Sequence, residues 1–220
     1  MSKWDRLAAG TGIGFVALFV AGFSATTKPP SLSAGNAKWV AYFRDHSKEI
    51  KSSSILYGLA LIAFLWFAAS LATRLRAAGE QRLGATVLGG AGATAGAFLV
   101  ASAIQAALAF QIALESPAQV KAFVDLFYAV GIVVGFTVGV VLGATAIAAL
   151  RSGALPRWYG LASGLAAVVV VVSGGALTHD GFYAPDGAYA LIATLVSLVW
   201  VLVTSVLLMR QTGEIGAAAG

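Results

Sequence analysis

Two histidines and an aspartate are the candidate metal ligands of this chain. His46 lies in a polar segment after the first apolar run, and His179 and Asp180 follow the fifth. Imidazole nitrogens and carboxylate oxygens bind zinc, and a zinc-bound water could hydrolyse a lipid or its headgroup. Against such a site, Asp45 and Glu49 point away from His46 on a helical wheel. We therefore expect no cofactor and no catalytic residue, and keep a metal-dependent membrane hydrolase with a His46/His179 site as an alternative.

Uncharged polar side chains within the apolar runs suggest a second chemistry, the passage of a small solute. Gln105, Gln111, Thr137 and Thr145 could line a path, although such residues more often hydrogen-bond between membrane helices. The runs hold no charged residue or histidine at mid-membrane depth, and all five prolines lie between them. Coupled transporters commonly use intramembrane charges and broken helices, so a proton-driven pump is disfavoured. A small-solute permease is the second alternative.

An amphipathic segment after the first apolar run separates aromatic from charged side chains. At about 100° per residue, Trp39, Tyr42 and Phe43 fall on one side of a helix, opposite lysines and carboxylates. The predicted helix begins at Asn36, as its cap, and ends at about Ile50. We expect it to lie at the membrane surface, with its aromatic face capping the bundle or meeting a lipid or a partner protein.

Six apolar runs must position these residues, and they define the fold class. Of 220 residues, 59% are hydrophobic and 10% charged, and the mean hydropathy is +0.87. This composition lies outside the soluble range, and runs of about 20 apolar residues cross a bilayer as helices. We predict an all-α membrane protein: a six-span transmembrane helical bundle in one domain, residues 1–220, with an amphipathic extracytoplasmic helix between spans 1 and 2. The segments are spans at about 7–25, 54–73, 86–110, 126–150, 158–178 and 187–209, an outer loop at 26–53 and a disordered tail at 211–220.

Four glycines at every fourth position of the fourth span predict the packing centre of the bundle. Gly131, Gly135, Gly139 and Gly143 form one stripe along a helix. Glycine weakens a helix in water by about 1 kcal/mol, but in lipid it lets a second backbone approach closely. We expect the stripe to pack within the bundle; packing between subunits is the alternative, so a homo-oligomer is possible but not indicated. Spans one, three and five carry glycine pairs that could face it, among them Gly10 with Gly14 and Gly92 with Gly96.

Basic residues at the ends of the runs predict the orientation in the membrane. With the N-terminus inside, eight of the 14 basic residues lie in inner segments and six in outer segments, five of these in one loop. Positive charge favours the cytoplasmic side, so we expect both termini to be cytoplasmic. The net charge of +5 is explained in this way, and we expect no nucleic-acid partner. The chain has no cysteine, which excludes disulfides and thiolate ligands.

Three stretches together resemble a known family. They are residues 37–50 (AKWVAYFRDHSKEI), 56–67 (LYGLALIAFLWF) and 150–160 (LRSGALPRWYG). They are similar to uncharacterised multi-pass integral membrane proteins of high-GC actinobacteria, a domain-of-unknown-function family, over most of the chain. The resemblance implies a bacterial plasma-membrane location and supplies no activity, cofactor or catalytic residue. Our leading hypothesis is a non-catalytic structural or interaction protein of the cell envelope, with the lipid bilayer and an envelope protein as its partners.

Overall fold

The computed structural model describes residues 3–175, 178 and 181–217, and most of these are helical. The α-helices are α1 (Lys3–Ser24), α2 (Asn36–Asp45), α3 (Ser47–Ala77), α4 (Gln81–Ala107), α5 (Ala113–Glu115), α6 (Val120–Ser152), α7 (Arg157–Ser173) and α8 (Ala188–Ala217). A π-helical turn, Leu108–Ile112, joins α4 to α5, and a 3-10 turn, Pro117–Gln119, precedes α6. The predicted all-α class is confirmed, with no strand in the described part of the chain.

Six of these helices form a closed ring. Going round it, α1 packs on α3, α3 on α4, α4 on α6, α6 on α7, α7 on α8, and α8 on α1. Most of these contacts join helices that follow one another along the chain and are connected by short loops. Such helices are antiparallel neighbours. Helix α2 is not part of the ring. It contacts α3, α5 and α6 at the end where α1 finishes and α6 begins.

Five ring helices are long and apolar enough to cross a membrane. These segments are Leu7–Ser24, Ser47–Ala77, Gln81–Glu115, Pro117–Ser152 and Ala188–Arg210. The ring also exposes large apolar side chains on its helices, among them Trp66 and Leu165. Water would penalise so much exposed apolar surface, whereas lipid accommodates it. Length, composition and surface together support a membrane protein.

The remaining ring helix, α7, is shorter than the span predicted at 158–178. It has 17 residues and ends at Ser173, where two glycines follow and weaken further helix. At 1.5 Å per residue it is about 25 Å long, which is near the lower limit for a crossing. Residues 176–177 of the predicted span lie outside the described residues.

Two other helix ends differ from the predictions. The amphipathic helix α2 ends at Asp45 rather than at about Ile50, because His46 leaves helical geometry with φ −111° and ψ 22°. The residues that follow therefore belong to α3, which begins before the predicted start at residue 54. Helix α8 continues to Ala217, although a disordered tail was predicted at 211–220, and helix extension adds one hydrogen bond per residue. Residues 218–220 lie outside the described part.

The glycine stripe of α6 divides into packed and open positions. A Cβ atom added at Gly135 would lie 2.8 Å from the Val170 carbonyl oxygen of α7. One added at Gly139 would collide with a valine side chain of α7. At Gly131 and Gly143, an added Cβ would meet no described atom within 4 Å. The stripe therefore supports a close α6–α7 contact through two of its four glycines.

The glycine pairs of spans one and three that we expected to face this stripe do not do so, whereas Gly160 and Gly164 of the fifth span do approach α6. A Cβ added at Gly14, Gly92 or Gly96 would meet no described atom within 4 Å, so that prediction was wrong for spans one and three. Helix α4 instead approaches α6 through Gly90, where a Cβ would lie 3.3 Å from the Thr137 carbonyl oxygen. Residues two apart lie on nearly opposite sides of a helix, which separates Gly90 from Gly92.

The substitution Gly135→Ala should destabilise the protein, because its methyl group enters a packed backbone contact. Overpacking of this kind typically costs about 1–3 kcal/mol. Gly143→Ala is the matched control from the same stripe, and it should be neutral or stabilising because alanine favours helix by about 1 kcal/mol. Thermal unfolding in detergent, followed by the loss of the monodisperse size-exclusion peak, measures both. Equal unfolding midpoints for the two variants would contradict the α6–α7 contact.

Candidate functional site

The ring helices line a partly open cavity of about 380 Å³, which we call the inner chamber. Side chains from all six ring helices line it. Its aromatic lining includes Phe15, Phe19, Phe23, Phe64, Phe98 and Trp200. Pockets that hold small ligands typically have volumes of roughly 300–1,000 Å³ and mostly apolar walls. The inner chamber therefore has the size and the lining of a ligand pocket.

A second cavity of about 270 Å³, the outer chamber, lies between the ring and α2. Trp39, Tyr42 and Phe43 of α2 contribute to its wall, together with Gln105 and Leu108. The two chambers adjoin, because they share part of their lining. The shared residues are Phe19, Phe23, Phe98, Phe127, Tyr128, Gly131 and Val134.

A layer of buried aromatic and polar side chains lies beyond the inner chamber, toward the end where α8 finishes. Phe67 meets Trp200 edge to face, and Tyr159 stacks on Trp200 with 6.4 Å between ring centroids. The Trp200 Nε1–H donates to Ser163 Oγ at 2.9 Å, and the hydroxyls of Tyr159 and Thr204 are hydrogen-bonded to each other. Since these side chains are buried and paired, they close the ring on this side.

Asn36 holds α2 in place at the other end of the ring by two hydrogen bonds. Its Oδ1 accepts a hydrogen bond from the Lys121 N–H at 2.9 Å, and its Nδ2 donates to the Pro117 carbonyl oxygen at 2.8 Å. The Lys121 N–H belongs to the first turn of α6, where helix donors lack partners within the helix. Asn36 therefore caps α6. The prediction that it caps α2 was wrong, because Gly35 occupies that position without a side-chain hydrogen bond.

Two further hydrogen bonds hold this segment in place. The Arg44 Nε–H donates to the Ala113 carbonyl oxygen at 2.9 Å, which joins the end of α2 to α5. The Leu32 N–H donates to the Asp186 carboxylate at 2.8 Å, which joins the loop before α2 to the loop before α8. Helix α2 is thus attached to several parts of the ring by polar contacts.

The aromatic face of α2 points into the protein. Trp39, Tyr42 and Phe43 are 2%, 9% and 4% exposed. Burial raises the pKa of the Tyr42 phenol, so its hydroxyl stays protonated and donates to the Thr27 carbonyl oxygen at 3.1 Å. This face therefore caps the bundle, which is one of the two roles that we predicted for it. Because these side chains are covered, they are not exposed to the surrounding bilayer or to another protein in this arrangement, and they form part of the outer chamber wall.

The predicted metal ligands do not form a metal site within the described residues. His46 lies at the corner between α2 and α3, with its ring centroid 5.3 Å from that of Tyr42. His179 and Asp180 lie outside the described residues. Among the residues that the structure describes, no group of three histidine, cysteine, aspartate or glutamate side chains could hold a metal ion.

The four polar residues considered for a solute path are dispersed. Thr137 accepts a hydrogen bond from Thr94 at 2.8 Å between α4 and α6, and Thr145 donates to a carbonyl oxygen of its own helix. Gln111 is exposed and donates to a neighbouring carboxylate at 2.8 Å. Of the four, Gln105 lines a chamber. These contacts match the packing role expected for such residues in membrane helices.

Sequence reasoning missed the chambers, although α1 carries a signal for them. Phe15, Phe19 and Phe23 recur at four-residue intervals, which places three rings on one side of a helix. All three line the inner chamber. In an apolar helix such a stripe is also compatible with lipid contact or tight packing, so spacing alone does not distinguish a cavity.

No protein-family model, no curated protein and no solved structure matches this chain. The resemblance to actinobacterial membrane proteins of unknown function therefore stays a prediction. Because no relative supplies a function, the function must be argued from the chambers and their lining.

The substitution Asn36→Ala should loosen α2, because it leaves the Lys121 N–H without its acceptor. A lost hydrogen bond of this kind costs about 1–2 kcal/mol, which corresponds to roughly 5- to 30-fold more opening. Hydrogen–deuterium exchange of α2 amides in detergent measures the change. Lys38→Ala, at an exposed position of the same helix, is the control and should exchange like the parent protein. Unchanged exchange in Asn36→Ala would show that the contact with α6 does not hold α2.

Proposed function

We propose that this protein is a six-span, non-catalytic plasma-membrane protein of a bacterium that binds an apolar or amphipathic molecule within its ring of helices. The observation that carries the proposal is the pair of adjoining chambers along the ring axis, 380 and 270 Å³ in volume. This proposal narrows the hypothesis of an interaction protein, because it takes the binding partner to be an apolar or amphipathic molecule.

The lining of the inner chamber favours an apolar occupant over water. Four of its hydroxyl groups already donate within the protein: Thr94 to Thr137, and Ser173, Thr194 and Ser197 to carbonyl oxygens of their own helices at 2.6–2.9 Å. A buried water needs two to four polar partners, and apolar cavities stay dry. An empty chamber forfeits dispersion contacts along its whole wall, whereas a hydrocarbon chain would restore them.

The same lining favours binding over catalysis or transport of a polar solute. Of the residues that the structure describes, none that lines either chamber is an aspartate, glutamate, lysine, arginine or histidine. Acid–base and metal-assisted reactions rely mainly on these side chains. The layer around Trp200 also interrupts a polar route along the axis. The permease and hydrolase alternatives therefore have less support than binding.

Six crossings and cytoplasmic termini are part of the proposal. Helix α7 connects α6 to α8, and both of these helices begin at the end of the ring where α2 lies. Helix α7 must therefore return the chain across the membrane if both neighbours span it. With α2 outside, arginines occupy the opposite end of the ring, as the positive-inside tendency requires. These arginines are Arg74, Arg76, Arg82, Arg151 and Arg157.

Single cysteines introduced into this cysteine-free chain should report the proposed topology. Ser33→Cys, Ala118→Cys and Thr178→Cys should react with a membrane-impermeant maleimide in intact cells, because they lie in outer loops. Ala77→Cys and Ser152→Cys should react only after permeabilisation. The pair at 152 and 178 tests α7 directly, since labelling of both from the same side would exclude a crossing by that helix.

A photoactivatable lipid analogue should label the chambers. The probe is a sixteen-carbon alcohol with a diazirine in its chain, added to the protein in phosphatidylcholine nanodiscs, with labelled peptides identified by mass spectrometry. We expect labelling near Phe98 and Phe127 in the parent protein. Gly131→Leu should lower this labelling about fivefold or more, because the new side chain occupies chamber volume without a clash at its Cβ.

Gly143→Leu is the matched control for this experiment. Gly143 belongs to the same stripe and is equally open, but it is absent from the lining of both chambers. Labelling at the chambers should therefore be unchanged in Gly143→Leu. Labels confined to outward-facing residues, or an equal loss in both variants, would overturn the binding proposal.

A further inference from the structure

The end of the ring opposite α2, which we call the arginine end, carries a concentrated positive charge. Six arginines with described side chains lie there, near the ends of α3, α6 and α8 and at the starts of α4 and α7: Arg74, Arg76, Arg82, Arg151, Arg157 and Arg210. Among the described side chains, Glu80 is the one carboxylate at this end. At the α2 end, six basic residues are accompanied by five carboxylates in the described part of the chain. The unbalanced charge of the protein therefore lies at the arginine end.

The type of basic residue also differs between the two ends. In the sequence, the segments of the arginine end hold seven arginines and one lysine, Lys3, whereas those of the α2 end hold five lysines and one arginine, Arg44. The positive-inside tendency counts lysine and arginine alike, so it explains the charge but not this separation. A guanidinium presents its N–H groups as a planar fork that matches two oxygens of a phosphate, whereas an ammonium acts as a point charge. The separation therefore indicates phosphate recognition in addition to topology.

The turn after α3 and the turn after α6 bring these side chains together. Arg151 Nε lies 3.5 Å from Glu80 Oε1, and this contact joins the two turns. The stem of Arg76 packs on the first turn of α4, since a Cβ atom added at Gly84 would lie 2.7 Å from Arg76 Cγ. Arginines from both turns therefore share one surface.

The guanidinium groups of this surface are accessible to a partner outside the protein. Within the described residues, Arg151 is the one arginine that lies within 4 Å of a carboxylate, and its side chain is still 70% exposed. Arg82, Arg157 and Arg210 are exposed as well. None of the six arginines lines either chamber, so this surface is separate from the chambers.

An exposed tryptophan places this surface at the level of the lipid head groups. Trp158 follows Arg157 in the first turn of α7 and is 57% exposed. Tryptophan is enriched at the boundary between the hydrocarbon core and water. Basic side chains at this depth attract anionic lipids.

We propose that the arginine end binds the phosphate groups of anionic phospholipids in the adjoining leaflet, through guanidinium forks that each contact two phosphate oxygens. In the proposed orientation this is the cytoplasmic leaflet. The site recognises a lipid by its head group, whereas the chambers would hold an apolar chain. It goes beyond the proposed function and does not depend on it.

Exchange of arginine for lysine separates phosphate recognition from charge. The lysine variant carries Arg82→Lys, Arg151→Lys, Arg157→Lys and Arg210→Lys, which keep the net charge of +5. The protein in detergent is mixed with equal amounts of dioleoyl phosphatidylglycerol and dioleoyl phosphatidylcholine, and native mass spectrometry counts each bound lipid. The two lipids have the same chains, so binding of a chain in the chambers contributes equally to both counts.

The parent protein should retain phosphatidylglycerol over phosphatidylcholine by about fivefold or more, and the lysine variant should lower this preference by about threefold or more, because charge-assisted bidentate contacts are lost. The four positions are exposed, so the size-exclusion profile and the unfolding midpoint should match those of the parent protein. Lys38→Ala is the control: it removes a positive charge at the α2 end and should leave the preference unchanged.

Equal retention of the two lipids by the parent protein would overturn the proposal. A lysine variant that keeps the full preference would also overturn it, since charge alone would then account for binding. So would displacement of phosphatidylglycerol by millimolar inorganic phosphate, because the surface would then serve a soluble anion. None of these outcomes bears on the chambers, whose occupancy is tested separately by photolabelling.

Discussion

The contact between α6 and α7 is the interaction on which the closed ring depends. Gly135 presents no side chain to α7, and the Val170 carbonyl oxygen occupies the space that a Cβ atom would need. Because α7 is the shortest ring helix, it has the least surface with which to hold its two neighbours. Val170 and Ser173 also form part of the inner chamber wall. A wider separation here would open the ring and merge the chamber with the surrounding lipid.

Residue size along the ring axis explains why a cavity forms at one level and dense packing at another. Near Gly90, small side chains let α4 and α6 approach closely, and near Tyr159 buried hydroxyls pair with each other. Farther along the axis, Phe98 and Phe127 are bulky and line both cavities. Rigid rings hold neighbouring helices apart and cannot fill the space that they create. The same ring of helices is thus solid at one end and hollow toward the other.

The sequence predicts helix positions well and helix contacts poorly, for a physical reason. An apolar run of sufficient length must hydrogen-bond its own backbone in lipid, so each run implies a helix independently of its neighbours. Which glycine meets which partner depends on the rotation of two helices, and Gly90 rather than Gly92 faces α6. Asn36 has a side chain suited to capping its own helix, yet it caps α6, which begins far along the chain.

The chambers were still less accessible to sequence reasoning. A cavity consists of space that side chains from six helices leave unfilled, and no local pattern records it. The phenylalanines of α1 signal an aromatic face, but only the assembled ring shows that the face surrounds a void. The buried Trp39 indole N–H, which has no acceptor among the described residues, is likewise a property of the assembly.

The polar contacts that hold α2 in place would affect the exchange rate of a bound molecule as well as the structure. Asn36 and Arg44 hold this ten-residue helix by polar contacts to α6 and α5, whereas its aromatic side chains rest on the chamber. A molecule that leaves past this helix can do so only as often as the helix lifts. Its residence time would follow the opening rate of α2 and not the strength of each contact with the chain. Slow exchange would then be compatible with modest affinity, and a trapped lipid could survive purification.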